Sequence, residues 1–154
     1  MEDCLACSLT NGKIDLPGGR IHATAHLVVE HSVGPLGVGT LIVKPIRHCV
    51  HFWELTDEEV VELGPLLRLV ENVIQKILKP DQIYICQWSH GDWKPGHIHF
   101  VVQPSWNRLR KRHKLPGPFL QVDQFKADKK PPRRGIEAFS KKVKAAIRSL
   151  EIDK

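Results

Sequence analysis

The sequence predicts an α+β fold built on an antiparallel sheet. Three patterns point to it: short apolar runs that pair across turns, one long amphipathic helix between them, and a second amphipathic helix at the C-terminal end. Residues 1–17 read as loop apart from Cys4-Leu5-Ala6-Cys7. Gly18-Gly19 marks a turn, and residues 20–24 and 26–30 then alternate weakly, as a strand pair does. Gly34-Pro35-Leu36-Gly37 is a second turn cluster. Residues 40–44 form a β-branched apolar run, a buried strand that should end at Pro45.

The long helix opens at Thr56-Asp57-Glu58-Glu59, a capping box in which Thr56 and Glu59 satisfy each other's exposed amides. Val60, Leu63, Leu67, Val70, Ile74 and Ile77 follow at three- and four-residue spacing and give it a core-facing stripe. Gly64-Pro65 should kink or restart the helix, because proline cannot donate to the preceding turn. Lys79-Pro80-Asp81 stops it. Residues 83–88 are the next strand, 89–95 a polar connection and 96–103 another strand. Beyond Trp106 the chain is basic and proline-rich with little regular pattern until Gly135. Ile136, Phe139, Val143, Ala146, Ile147 and Leu150 then mark the terminal helix.

A chain of 154 residues suits one core of substantial size. No run is apolar and long enough to cross a membrane, and the acidic opening Met1-Glu2-Asp3-Cys4 does not read as a secretory signal. The expectation is a cytoplasmic protein whose four cysteines are not disulfide-bonded. The net charge is +6 and the pI about 9.3. Much of the excess lies in Arg108, Arg110, Lys111, Arg112 and Lys114, and then in Lys129, Lys130, Arg133 and Arg134. Such a surface favours anionic partners, nucleotides or nucleic acid among them, and equally serves as a solvated face.

The segment from Pro95 to Pro104 carries the chemistry. Alternation along a strand sends His97, His99 and Val101 to one side and Ile98, Phe100 and Val102 to the other. The second set suits a core; the first presents two imidazoles, the side chain most suited to metal ligation, proton transfer or nucleophilic attack near neutral pH. Cys4-Leu5-Ala6-Cys7 has the spacing by which one turn places two thiolates on a zinc ion. The other ligands would be His48, at the end of Lys44-Pro45-Ile46-Arg47-His48, and His97. Two thiolates and two imidazoles would saturate the metal and make it structural, with no position for a catalytic water. The same spacing also fits two reduced cysteines without a metal.

Two segments, Gly39-Thr40-Leu41-Ile42-Val43-Lys44-Pro45-Ile46-Arg47-His48 and His97-Ile98-His99-Phe100-Val101-Val102-Gln103-Pro104, resemble the signature segments of the histidine-triad (HIT) superfamily. They lie on either side of the long helix, in the family's order. The resemblance covers roughly residues 4–104, a nucleotide-binding core, and leaves 105–154 as a basic extension whose helix packs on the same domain. It implies a sheet of about five antiparallel strands with one long helix, usually as a homodimer, that binds a nucleotide. It also implies attack on the α-phosphorus by the residue at position 99, giving a covalent nucleotidyl-histidine. Zinc-bearing members of the family use a ligand set that maps onto Cys4, Cys7, His48 and His97, the same four residues.

The chain departs from the family pattern at three places. The third triad position is Val101, which can neither donate to a phosphate oxygen nor relay a proton. Gly39-Thr40 replaces the usual Gly-His. The phosphate loop is Gln87-Trp88-Ser89-His90-Gly91-Asp92-Trp93-Lys94, in which His90 would supply the missing donor with Gln87, Ser89 and Lys94 assisting. Trp88, Trp93 and Trp106 would stack on a base or pack, and Ile21, Leu27 and Val29 would line a base pocket or the core. The expected function is nucleotide hydrolysis or nucleotidyl transfer at a phosphoanhydride or phosphoramidate, for example of a dinucleoside polyphosphate. The alternatives are a catalytically weak nucleotide-binding regulator, motivated by Val101, and processing of adenylylated nucleic-acid ends, motivated by the basic stretch.

Overall fold

A computed structural model describes residues 4–90, 95–113 and 118–152. From Cys4 the backbone turns directly into a short helix, α1 (Leu5–Thr10), rather than an isolated turn, so the two cysteines flank and begin that helix. Strands β1 (His22–Ala23), β2 (Leu27–His31) and β3 (Leu41–Pro45) follow. A single 3-10 turn at Phe52–Glu54 then leads into α2 (Asp57–Leu78). Strands β4 (Gln82–Trp88) and β5 (His99–Ser105) come next, and then helices α3 (Asn107–His113), α4 (Pro118–Ala127) and α5 (Arg133–Ile152). The five strands make one antiparallel sheet in the order β1-β2-β3-β5-β4. No helix among the described residues is long and apolar enough to cross a membrane.

Register decides what each face of the sheet carries, because residues directly opposite one another share a face. Val29 pairs with Val43, Val43 with Phe100 and Leu41 with Val102, which puts these side chains on one face. They are buried there with Leu63, Leu66, Val70, Val73 and Ile74 of α2 and with Phe139, Val143 and Ile147 of α5. Ile21, Leu27 and Val29 belong to this core. The opposite face carries Glu30, Ile42, Lys44, His99, Val101, Gln103, Cys86 and Trp88 by the same register. α1 lies over one end of this face and α4 over another.

The capping box is formed as expected: the Thr56 hydroxyl accepts from Glu59 N–H, and the Glu59 carboxylate accepts from Thr56 N–H. Two expectations for this helix need correction. Its buried residues are Glu59, Leu63, Leu66, Val70, Val73 and Ile74, whereas Val60 is 46% exposed. The first turn is rotated because Glu59, fixed by the cap, goes inward. The helix also does not restart at Gly64-Pro65: it continues through Pro65 as one element. Val61, Gly64 and Pro65 are exposed, so the carbonyl that loses its donor meets water rather than the core. At the far end Lys79 closes the helix in the left-handed conformation, φ 46°, just before Pro80.

Two further corrections concern the second half. The strand expected at 96–103 begins at His99 and runs to Ser105; His97 and Ile98 are its extended approach, bonded to Ser89 and Cys49 carbonyls rather than to a strand ladder. The basic stretch after Trp106 is largely helical. α3 has almost no apolar residue, and α4 buries Leu120 and Gln121 while exposing Phe119, Val122 and Phe125. Neither has a stripe of helical period, which is the signal that hydrophobic periodicity reads.

Candidate active site and metal centre

Four ligand-type side chains converge where α1 meets the strand ends. The ligand atoms of Cys4, Cys7, His48 and His97 lie within 4.8 Å of one another. Cys4 Sγ is 3.6 Å and Cys7 Sγ 3.5 Å from His97 Nδ1, and Cys7 Sγ is 3.4 Å from His48 Nδ1. In a tetrahedral zinc site with ordinary Zn–S and Zn–N bonds, neighbouring ligand atoms stand roughly 3.3–3.8 Å apart. The cluster therefore needs little adjustment to hold the ion. His97 Nε2–H donates to the Pro45 carbonyl at 3.0 Å, which leaves the Nδ1 lone pair facing the sulfurs. Burial pushes the imidazolium of His97 down to about 4, against the opposing pull of the Pro45 carbonyl, so the ring is neutral at pH 7 as a ligand must be. Burial, reinforced by the Cys4 thiol, pushes the Cys7 thiol up to about 11 in the absence of metal. A cation is what would make two adjacent thiolates favourable here.

The cluster is held from three sides. Ile98 N–H donates to the Cys49 carbonyl at 2.8 Å, tying the segment after His48 to the segment carrying His97. Arg47, next to His48, donates through Nε and Nη2 to both oxygens of Glu59, each at 2.8 Å. The capping carboxylate of α2 thus also anchors the loop that presents His48. On the third side Lys44 Nζ donates to the Ala6 carbonyl, 3.0 Å, between the two cysteines, and pairs with Glu30 at 2.6 Å. Thr10 Oγ1 donates to the other Glu30 oxygen at 3.1 Å. Both charged side chains are 3% exposed. Sequence reading missed these supports; the one local signal was Arg47 standing beside His48 with an acidic helix start twelve residues on.

His99 stands on the same side of the sheet, half-buried, two residues beyond His97. Its Nδ1–H donates to the His97 carbonyl at 2.8 Å. A carbonyl only accepts, so this bond fixes the proton on Nδ1 and leaves Nε2 with a lone pair. Burial lowers the His99 pKa, with the His97 carbonyl acting the other way. A neutral imidazole with one nitrogen free and the other braced is the form that attacks an electrophilic phosphorus.

The loop residues divide. His90, at φ 55°, brings its ring centroid to 5.5 Å from that of His99 and stacks nearly parallel on Trp88 at 6.3 Å. Trp88 is the direct strand partner of His99. Its indole N–H donates to Gln121 Oε1 of α4 at 3.0 Å. Ser89 is half-buried, and its carbonyl accepts from His97 N–H at 2.9 Å. Gln87 pairs with Phe100 and is exposed, so its side chain leaves from the face opposite His99 and does not join the site. Trp93 and Lys94 lie outside the described residues. Val101 is 2% exposed and offers no polar atom to the cleft. Trp106 is partly buried under Arg108, whose guanidinium lies 5.5 Å above its ring, away from the strand end that carries His99.

No protein-family model matches the chain. An adenosine 5'-monophosphoramidase of Schizosaccharomyces pombe is 26% identical over 107 residues, which are 68% of this chain and 75% of that protein. Among solved structures, a histidine triad nucleotide-binding protein of Sulfolobus tokodaii superposes with a TM-score of 0.72 at 20% identity, over 96% of this chain and 94% of the other. A zinc-bound histidine triad family protein of Mycobacterium smegmatis gives a TM-score of 0.69 at 19% identity, over 98% and 97% of the two chains. The likeness in fold thus extends well past the 107 residues that align with the S. pombe protein. In sequence and in structure alike, the homologues of this chain are histidine-triad proteins, and its fold is theirs.

Proposed function

We propose that this protein is a nucleotide hydrolase or nucleotidyltransferase that acts at an α-phosphate through His99, with zinc held structurally by Cys4, Cys7, His48 and His97. The observation that carries the reading is the bond from His99 Nδ1–H to the His97 carbonyl, which leaves Nε2 as a nucleophile beside the metal ligands. His99 Nε2 forms a bond to phosphorus as the bond to the leaving group breaks; the leaving group departs with the electron pair and takes up a proton. Water then attacks phosphorus, the phosphorus–nitrogen bond breaks, and His99 is regenerated as the water gives up a proton. Zinc, when bound, fixes His97 and hence the carbonyl that braces His99; its ligand set is full and needs no part in the reaction.

Charge developing on the phosphate oxygens needs fixed donors. Val101 supplies none, and His90 takes that role from the neighbouring strand end, with Ser89 and Lys94 assisting. The substrates proposed are nucleoside phosphoramidates, the class named for the S. pombe relative, and dinucleoside polyphosphates. The protein is proposed to act as a cytoplasmic homodimer, a state that light scattering would read directly. His99→Ala should abolish release of AMP from adenosine 5'-phosphoramidate and from diadenosine polyphosphates while zinc content stays at one per chain. Undiminished turnover in that variant would remove His99 from the mechanism.

Val101 favours a second reading, a nucleotide-binding regulator without chemistry. It predicts AMP binding in the wild type with no product from either substrate class. The third, action on adenylylated nucleic-acid ends, draws on exposed Arg108 and Lys111 of α3. Binding to nicked DNA that falls steeply with salt would support it.

A further inference from the structure

We propose that Gln121, on helix α4 of the C-terminal extension, is a positioning residue for the active site: through Trp88 it holds the His90 ring beside His99. The inference rests on the reading of His99 as the reacting residue and gives the extension a function there. Gln121 is fully buried, at 0% exposure, on a helix whose other inward residue at that point is Leu120. A buried glutamine in place of an apolar side chain is costly unless its polar atoms are used. Its Oε1 accepts the Trp88 indole N–H at 3.0 Å, while its Nε2 is buried without a hydrogen-bond partner among the described residues, so the bond to Trp88 is the one use of its amide that offsets the cost.

Trp88 is the last residue of β4 and lies directly opposite His99. Its backbone is therefore set by the sheet, but its side chain needs a fixed point to choose one rotamer, and Gln121 supplies it. The indole plane set in this way is the surface on which His90 lies, the two rings being within 8° of parallel. His90 has a left-handed backbone, φ 55°, which a non-glycine residue adopts only when its surroundings over-determine it. The chain Gln121–Trp88–His90–His99 thus runs from the extension to the proposed nucleophile by one hydrogen bond and two ring contacts.

Gln103 and Gln124 extend the same interface. Gln103 Nε2 donates to Gln124 Oε1 at 2.5 Å and to the Leu36 carbonyl at 3.2 Å, so polar contacts fasten α4 to the site face of the sheet. Polar fastening of this kind is directional. It sets where the helix lies along β4 and β5, as apolar packing alone would not.

The test is Gln121→Leu, which keeps the bulk and removes the acceptor. In two-dimensional NMR of the zinc-loaded protein, the Trp88 indole N–H and the His90 ring resonances should both shift while zinc stoichiometry stays at one. Turnover of adenosine 5'-phosphoramidate should fall in kcat by on the order of 10- to 100-fold, since misplacing a reacting group by about 1 Å costs up to 10²-fold. In a His90→Ala background the same substitution should cost less than about 2-fold, because the two act in series. Trp88→Phe, which keeps a ring but removes the donor, should reproduce the Gln121→Leu effect and serves where that variant does not fold. Unmoved His90 resonances, or an equal loss in both backgrounds, would overturn the inference. If His99→Ala retains turnover, or the wild type shows none, the reading of the site fails separately. The His90 resonances of Gln121→Leu still decide the positioning role in that event.

Discussion

The two faces of the one sheet are built by different physics. On the core face, Leu27, Val29, Leu41, Val43, Phe100 and Val102 pack on α2 and α5, and every one is at most 6% exposed. On the other face, strands of the same sheet carry a buried ion pair, a neutral imidazole with a braced tautomer, and an indole and a glutamine bonded to a helix. The core face stabilises by area removed from water, which is non-directional and tolerant of exchange among apolar residues. The site face stabilises by directed bonds, each of which fixes an atom's place. That is what a metal and a nucleophile need, and it leaves that face dependent on every partner being present.

Removing the metal should have the largest effect. Cys4→Ser or chelation should release zinc and lower the melting temperature sharply, since structural zinc contributes folding free energy outright. Loss of a ligand should cost more than the roughly 10- to 100-fold in zinc affinity typical of altering a ligand's support. Unchanged zinc stoichiometry in Cys4→Ser, read by atomic emission, would remove that residue from the ligand set.

Next come one substitution on each face. Leu41→Ala, from a site with 0% exposure, should cost about 2–5 kcal/mol in denaturant unfolding, as a cavity in an apolar core does. Glu30→Gln should cost about 3–5 kcal/mol, because it leaves the Lys44 ammonium buried and unpaired. Replacing both, Glu30→Leu with Lys44→Met, should recover most of that stability yet weaken zinc binding, since Lys44 no longer donates to the Ala6 carbonyl between the cysteines. Recovery of stability without loss of zinc affinity would show that the pair does not shape the metal centre.

A smaller effect is expected from pH on the core face. His31 is buried, donates through Nδ1 to the Ser32 carbonyl and accepts at Nε2 from Gly39 N–H. Burial holds its pKa below the ordinary 6.5. The unfolded chain therefore takes up a proton as the pH falls past 6.5 while the folded chain refuses it. Stability from this group is complete above that pH and is lost as the pH falls toward the folded value. His31→Gln should flatten this part of the stability profile. The smallest change, Thr56→Ala at the cap of α2, should cost about 1 kcal/mol in unfolding free energy and leave zinc and turnover alone.

The core face was legible in the sequence because its signal is local. Alternating apolar residues in β2, β3 and β5 and the capping box at Thr56 each announce themselves within a few positions. The cluster of Cys4, Cys7, His48 and His97 was legible for a related reason, since Cys4 and Cys7 carry their spacing with them and His97 sits in a two-histidine segment. What escaped was long-range and polar. Nothing near Lys44 marks it as the partner of Glu30, and nothing in 105–135 distinguishes Gln121, facing the sheet, from Phe119 and Phe125, facing solvent. The face on which Gln87 lies is a matter of register: one position along a strand reverses the face, and the strand's pairing with Phe100 was not visible from its own residues.

The central claim is that the free Nε2 of His99 becomes covalently bound to phosphorus. Wild-type protein mixed with adenosine 5'-phosphoramidate, quenched within a turnover and digested under alkaline conditions, should yield one peptide heavier by an adenylyl group. The group should lie on His99 and be missing from His99→Ala. An adenylyl group on any other side chain, or full turnover by His99→Ala, would contradict the account.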